Sequence, residues 1–423
     1  MKYDIKEISL NNFYENPLVD IAISSNNLND EQIKDLLKSD LSLSFSDDKC
    51  IIDAVNRIKQ AKDNNEKVFV AGDYDADGIC ATTIMKSALD IYGIESGYYI
   101  PNRITEGYGL NKEVVKQVKD KGYSLIITVD NGVKAFDALN CAKELGISVI
   151  VSDHHLIDEE VPCEVLVHPS LMSDNFESMC GAGVALAISR KLIGNNDFHT
   201  ALACIATIGD VMPLWKENRN IVKHGLRIIN KHKYKVFDYL LDNIEVVSSK
   251  DIGFKLVPKL NALGRLAELG NPNDIIRYYF LNDDYSVVTR MKNIIIDVNK
   301  QRQTISKNLI QTANTLIEDE PFIIIKSEEF HEGIVGLVAG NISNSLNKPT
   351  IIFAIKEGLL KGSGRSIKGF DLHDFLNDGF DEFLSFGGHS QAVGLSIDES
   401  NFESFKEKVN TKFKNLEIEV VKD

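Results

Sequence analysis

Four stretches of this chain concentrate groups able to hold a divalent cation and work on phosphorus. Residues 70–79 read Val-Ala-Gly-Asp-Tyr-Asp-Ala-Asp-Gly-Ile, placing Asp73, Asp75 and Asp77 directly after an apolar run. Residues 127–132 end on Asp130-Asn131-Gly132, residues 150–155 on Asp153-His154-His155, and residues 205–210 on Gly209-Asp210. One acidic loop is ordinarily solvated surface, and a His pair alone more often satisfies a backbone carbonyl. Together they read differently: carboxylates and imidazoles gathered at one edge repel and desolvate one another unless a cation neutralises them. Oxygen-rich ligation with one or two imidazoles suits Mn²⁺ or Mg²⁺ better than Zn²⁺. Several acids in one place can hold two cations about 3.5–4 Å apart, an arrangement that activates water for in-line attack on phosphorus.

The elements needed to gather these groups are legible. KVFVA (67–71), SGYYI (96–100), SLIITV (124–129) and ISVIV (147–151) are short apolar runs. Between them lie stretches of helical spacing at 78–93, 111–122 and 134–146, with Asn111 as a cap and Gly93 and Gly122 as stops. Apolar strands alternating with amphipathic helices imply a parallel sheet covered on both faces. Ligands bind such sheets beyond the carboxyl ends of the strands, where the acids and histidines fall. From Tyr285 to Ile317 apolar residues recur at helical spacing, which predicts one helix of roughly 50 Å at ~1.5 Å per residue. A further α/β unit follows, with strands near 322–326, 350–355, 359–363 and 392–397 and helices near 333–346, 371–377 and 400–415. The expected organisation is an N-terminal segment (1–47) packing on a catalytic domain (48–284), a connecting helix (285–318), and a smaller substrate-binding domain (319–423).

The length of 423 residues favours two domains. Six cysteines without a CxxC pair argue against a zinc finger or a disulfide scaffold. There is no signal-peptide layout and no apolar run of about 18 residues, so the expected location is the cytoplasm. The net charge of −15 argues against a general nucleic-acid coat protein but not against an enzyme with a local basic groove.

DYDADG, VDNG, SDHH and the Gly-Asp turn, in this order, resemble the four motifs of the DHH phosphoesterases. FHEGIVGLVAG (330–340), KGSGRSIKGFDL (361–372) and FGGHSQAVGLSI (386–397) look like the DHH-associated domain. With PNRITEGYGL (101–110), GDVMPL (209–214) and LNALGR (260–265), they resemble the RecJ-type single-strand-specific exonucleases over about residues 48–410. The resemblance implies two divalent cations, Mn²⁺ or Mg²⁺, with Asp75 and Asp77 binding one each and Asp130 bridging both. It also implies His154 and Asp210 on the second metal, His155 at the scissile phosphate, and Asp153 orienting an imidazole. Many superfamily members carry a ligand His four residues before Asp75, where this chain has Ala71, and Asp73 is expected to replace it.

The implied activity is hydrolysis of single-stranded DNA from its 5′ end in DNA repair or recombination. A single-strand-binding protein or a helicase would suit it as partner. Arg103, Arg265 and Gln303 fall where the resemblance implies contacts to the DNA backbone. Ser363, Arg365 and Ser366 could present amides, hydroxyls and a guanidinium to a phosphate, as could His389 and Ser390. Lys356, Lys361, Arg365 and Lys368 against Glu357 form the clearest local basic patch. The Met179–Gly183 stretch reads as close packing at a helix start, with a phosphate contact as the alternative. The expected cleft lies between the two domains, admitting one strand and not a duplex. The family's larger members continue into an oligonucleotide-binding barrel, whose absence would lower affinity for long strands. The alternative enzyme reading is a phosphodiesterase of short oligonucleotides or cyclic dinucleotides. A catalytically dead scaffold would have lost metal-site carboxylates, all of which are here.

Overall fold

The computed structural model describes residues 28–37 and 42–416, with Ile21, Ile23 and Asn26 besides; most of the N-terminal segment expected at 1–47 lies outside them. Two compact units emerge: residues 1–101 with 109–257, and residues 102–108 with 258–423.

The first unit is an α/β layer structure. Helices α1 (Asp30–Leu37) and α2 (Lys49–Asp63) precede β1 (Lys67–Ala71), α3 (Ala76–Tyr92), β2 (Ser96–Tyr99), α4 (Lys112–Asp120), β3 (Tyr123–Val129), α5 (Phe136–Glu144), β4 (Ser148–Ser152) and β5 (Val165–Val167). The sheet order is β2-β1-β3-β4-β5, parallel throughout. The three motif-bearing strands β1, β3 and β4 are therefore neighbours. Their burial on both faces explains the unbroken apolar runs, as in Ile126, Ile127, Val149 and Ile150. Phe69, Val115, Leu139 and Val151 belong to one apolar cluster on this sheet. Helix α3 ends where Gly93 takes a left-handed conformation (φ 84°). Further helices follow in this unit, among them α6 (Gly181–Ile193), α7 (Asp197–Gly209) and α8 (Lys216–Ile229). The chain ahead of α2 is tied to them, with Arg190 donating to the Leu43 and Ser44 carbonyls and the Ser44 amide donating to Glu217 at 2.9 Å.

In the second unit α9 (Val257–Arg265) is followed by the long α10 (Tyr285–Leu316), then β6 (Ile323–Ser327), α11 (Val335–Leu346), β7 (Thr350–Lys356), β8 (Leu359–Arg365), α12 (Leu372–Asn377), β9 (Phe383–His389), β10 (Ala392–Asp398) and α13 (Phe402–Lys414). The sheet order is β6-β7-β8-β10-β9, with only β6 and β7 parallel. Its core is rich in phenylalanine, including Phe322, Phe353, Phe375 and Phe405. Strand β9, absent from the sequence-based expectation, pairs with β10 along the sheet edge. Two π-helical turns, Ile252–Leu256 in the first unit and Ile276–Phe280 in the second, interrupt the α-helical pattern between α8 and α10. Among the described residues no helix is long and apolar enough to cross a membrane.

Candidate metal centre and anion site

Each acid of the first unit is fixed by backbone donors before any ligand is considered. Asp75 caps α3, its Oδ1 accepting the amides of Asp77 at 2.9 Å and Gly78 at 3.1 Å. Asp77 reaches the start of α6, where its two oxygens accept the Gly181 and Ala182 amides, both at 2.7 Å. Those amides are the ones that leave a helix N-terminus unsatisfied and favour negative charge. The Met179–Gly183 stretch therefore does more than pack: it holds a carboxylate. Gly181 is also required by space, since a Cβ there would sit 2.5 Å from the Asp130 Cβ.

Asp130 follows β3 in a left-handed conformation (φ 62°), and its amide donates to the Ser152 carbonyl at 3.0 Å. The next residue, Asn131, is fully buried. Its Nδ2 donates to the carbonyls of Ala71 (3.0 Å) and Val129 (2.9 Å) while its Oδ1 accepts the Leu110 amide (3.1 Å). One amide side chain thus registers the loops after β1 and β3. Asp153, fully buried after β4, accepts the amides of Val133, His154 and His155 and the His155 Nδ1–H at 2.8 Å. That contact fixes the His155 tautomer and leaves Nε2 as the outward atom.

The acids and His154 converge. The His154 Nε2 lies 3.2 Å from an Asp130 oxygen and 3.7 Å from oxygens of Asp77 and of Asp210, the last being the C-cap of α7. Asp73, Asp75 and Asp130 offer oxygens within 4.8 Å of one another; Asp77, His154 and Asp210 form a second such group, and Asp130 with His154 and His155 a third. Asp130 therefore links the groups.

Burial and the neighbouring charges of Asp75 and Asp77 push these acids up: Asp77 to about 6, Asp210 to about 8, and Asp130 well above the usual carboxylate range. Burial also opposes charge on His155, but its hydrogen bond and proximity to Asp153 win and raise it, while the same contact lowers Asp153. Acids that cannot all ionise together, with one imidazole among them, form a donor set fitted to hard divalent cations. Val211, next to Asp210, is a β-branched residue at φ 56° and 86% exposed, an uncommon backbone conformation for its type.

The second unit holds a cluster of the opposite sign. Arg365, at the end of β8, is mostly buried, and its Nη1 donates to the Gly364 carbonyl at 2.7 Å. Burial and the charge of Arg103 both lower its pKa. Gly336, in the first turn of α11, lies so near that a Cβ would sit 2.8 Å from the Arg365 Nη2 and 3.2 Å from the Ser363 Oγ. A guanidinium, a hydroxyl and a helix N-terminus therefore meet with Arg103 nearby, which is the donor set of a phosphate site.

The other expected contact residues are disposed differently. Arg265 Nη1 approaches the Gly333 carbonyl at 3.4 Å. Gln303 is exposed on α10, and His389 and Ser390 are exposed at the β9–β10 turn. The Ser366 hydroxyl is buried and donates to the Phe370 carbonyl at 2.6 Å. Of the basic patch, Lys356 and Lys361 are paired with Glu332 at 3.3 and 2.8 Å, Lys368 is exposed, and Arg365 belongs to the cluster just described.

Family models describe the same two regions. Residues 67–209 match the DHH family N-terminal domain and residues 319–415 the DHHA1 domain. The single-stranded-DNA-specific exonuclease RecJ of Haemophilus influenzae is 34% identical over 389 residues, covering 84% of this chain and 67% of that protein. This chain belongs to the RecJ family. The RecJ of Bacillus subtilis is 34% identical over 372 residues, covering 85% of this chain and 47% of that protein. The crystal structure of Thermus thermophilus RecJ in complex with Mn²⁺ superposes with a TM-score of 0.82 at 28% identity, covering 95% of this chain and 59% of that one. The chain thus spans about half to two thirds of the length of these RecJ relatives.

Proposed function

We propose that this chain hydrolyses the phosphodiester bonds of single-stranded DNA from the 5′ end, using two divalent cations, Mn²⁺ or Mg²⁺, in DNA repair or recombination. The observation that carries the reading is the pair of ligand groups, Asp73/Asp75/Asp130 and Asp77/His154/Asp210, with Asp130 contributing to both neighbourhoods. Bound there, the cations would lower the pKa of water and offset charge building on the phosphate.

The protein's own groups do the rest. Asp77 is held by the α6 amides and Asp75 by those of α3, so neither must reorganise on loading. His155, anchored through Nδ1 by Asp153, which also raises its pKa, presents Nε2 as a donor to a phosphate oxygen when the ring is protonated. Arg365, Arg103 and Ser363 with the start of α11 would hold a terminal phosphate, and so choose the strand end. Phosphate contacts carry no base information, so digestion is expected to be indifferent to sequence. The test compares 5′- and 3′-labelled single strands, blunt duplexes and dinucleotides with Mn²⁺ or Mg²⁺. Mononucleotides released from the 5′ end of the single strand, with the duplex spared, are expected. Equal rates on duplex and single strand, or turnover of dinucleotides alone, would overturn the reading.

A further inference from the structure

Apart from these two sites, a row of basic side chains stands out on α8. The chain carries a net −15, yet of the seven Lys and Arg in residues 216–235, four of them on α8, only Lys216 and Lys235 form ion pairs among the described residues, with Glu177 and Asp238; the one acid in that stretch is Glu217. That acid is buried and accepts from the Ser44 amide and the Asn220 side chain. Arg219, Lys223 and Arg227 recur every fourth residue and so form one stripe, opposite the buried Ile221, Val222, Gly225 and Ile228. Successive members are separated by about 6 Å along the axis, four residues at ~1.5 Å each.

Among the described residues the stripe forms no ion pair, with Asp35 the one acid acting on Lys223, and the buried Arg219 Nε–H has no hydrogen-bond partner. Burial and the charges of Arg219 and Arg227 lower the Lys223 pKa, with Asp35 on α1 the opposing acid. Arg219 also donates from Nη2 to the Leu36 carbonyl at 3.0 Å, so it is partly structural.

Both ends of the stripe have a context. Asp210 caps α7, and α8 starts six residues later and returns along it, packed so tightly that a Cβ on Gly225 would meet the Cys204 Cβ at 2.1 Å. The stripe therefore begins at the end of α7 that Asp210 caps and runs toward the other end of that helix. Beyond its far end, the partly exposed rings of Phe198 and Tyr234 lie 5.2 Å apart, with the Lys233 ammonium 5.2 Å from the Tyr234 ring centre.

We infer that this stripe is a track for the phosphodiester backbone of the single strand beyond the nucleotide being cleaved, an inference that rests on the proposed function. Cations repeating at a few ångströms, on the scale of successive phosphates, suit a polyanion better than a single anion. Aromatic faces at the end of a basic track are what sequence-tolerant single-strand binding uses.

The experiment measures binding of a fluorescent oligothymidylate without divalent cations, across a salt series, for the wild type, K223Q/R227Q and the charge-matched control K119Q/K143Q. Melting temperature checks folding. The track variant is expected to lose affinity several-fold, with its log–log salt slope reduced by about 1.4, roughly 0.7 per phosphate contact, and the control to match wild type. Equal slopes for all three, or the same loss in the control, overturn the track alone. A variant that loses binding of polyglutamate but not of the oligonucleotide also overturns it, assigning the surface to an acidic protein segment. A wild type that binds and digests no single strand overturns the functional reading together with the track.

Discussion

The Asp130 cluster and the Arg365 cluster are the same device built with opposite signs. In the first, buried carboxylates repel one another and their pKa values rise. In the second, a mostly buried guanidinium lies near another arginine and its pKa falls. Each is held by backbone: the acids by helix N-termini and strand ends, Arg365 by its neighbour's carbonyl and the start of α11. Neither charge is balanced from within, so one calls for cations and the other for an anion. The difference lies in their expected readouts: damage to the acid cluster should appear in turnover, damage to the arginine cluster in affinity.

The sharpest way to break the comparison is Asp130→Ala. Turnover of 5′-labelled single strands should fall about a hundred- to a thousandfold at saturating Mn²⁺, with single-strand affinity largely kept. Turnover within a few-fold of wild type would end the bridging role. Arg365→Ala should do the reverse. Loss of a charged hydrogen-bonding group worth ~1.5–3 kcal/mol raises KM for 5′-phosphorylated strands about 10- to 100-fold, and less for 5′-hydroxyl strands. An unchanged KM with reduced kcat would move Arg365 into the chemistry. Asp73→Asn should raise the Mn²⁺ concentration for half-maximal activity by about tenfold, a loss of ~1.4 kcal/mol, with kcat recovered at saturation. An identical titration would exclude Asp73 as a ligand.

The smallest effect is on stability. Asp77 and Asp210 have folded-state pKa values raised to about 6 and about 8. A raised carboxyl pKa means the folded form holds its protons more tightly, so its stabilisation is full below the unfolded value near 4 and lost as pH rises through about 6 to 8. In EDTA the melting temperature should therefore decline by several degrees over that window. Mn²⁺ should raise it more at pH 8 than at pH 5, because the cation binds the ionised acids. A melting temperature rising with pH in EDTA would show that the acids are not mutually strained.

Much of this architecture was legible because burial on both faces makes strands apolar without interruption, and β1, β3 and β4 have that character. Position after such a strand then marked Asp73, Asp130 and His154. What stayed hidden has local causes. Strand β9 contains Gly387 and Gly388, turn residues by propensity, and is held by its ladder to β10. The two π-helical turns shift the 3.6-residue periodicity and blur the 250–280 region. The partnership of Asp77 with α6 spans 104 positions of sequence, and only the glycines around Ala182 hinted at it. Lys361 looked available because Glu332, its partner, is remote along the chain.

Asp130 is held at φ 62°, where an L side chain pays about 1–2 kcal/mol that glycine does not. The corner is thus less stable than glycine would make it, and it carries an oxygen-bearing side chain instead. Asp130→Gly frees the corner from both the backbone penalty and the buried carboxyl, so the variant should outlast the wild type on heating. Such a variant would be a natural vehicle for trapping an intact strand.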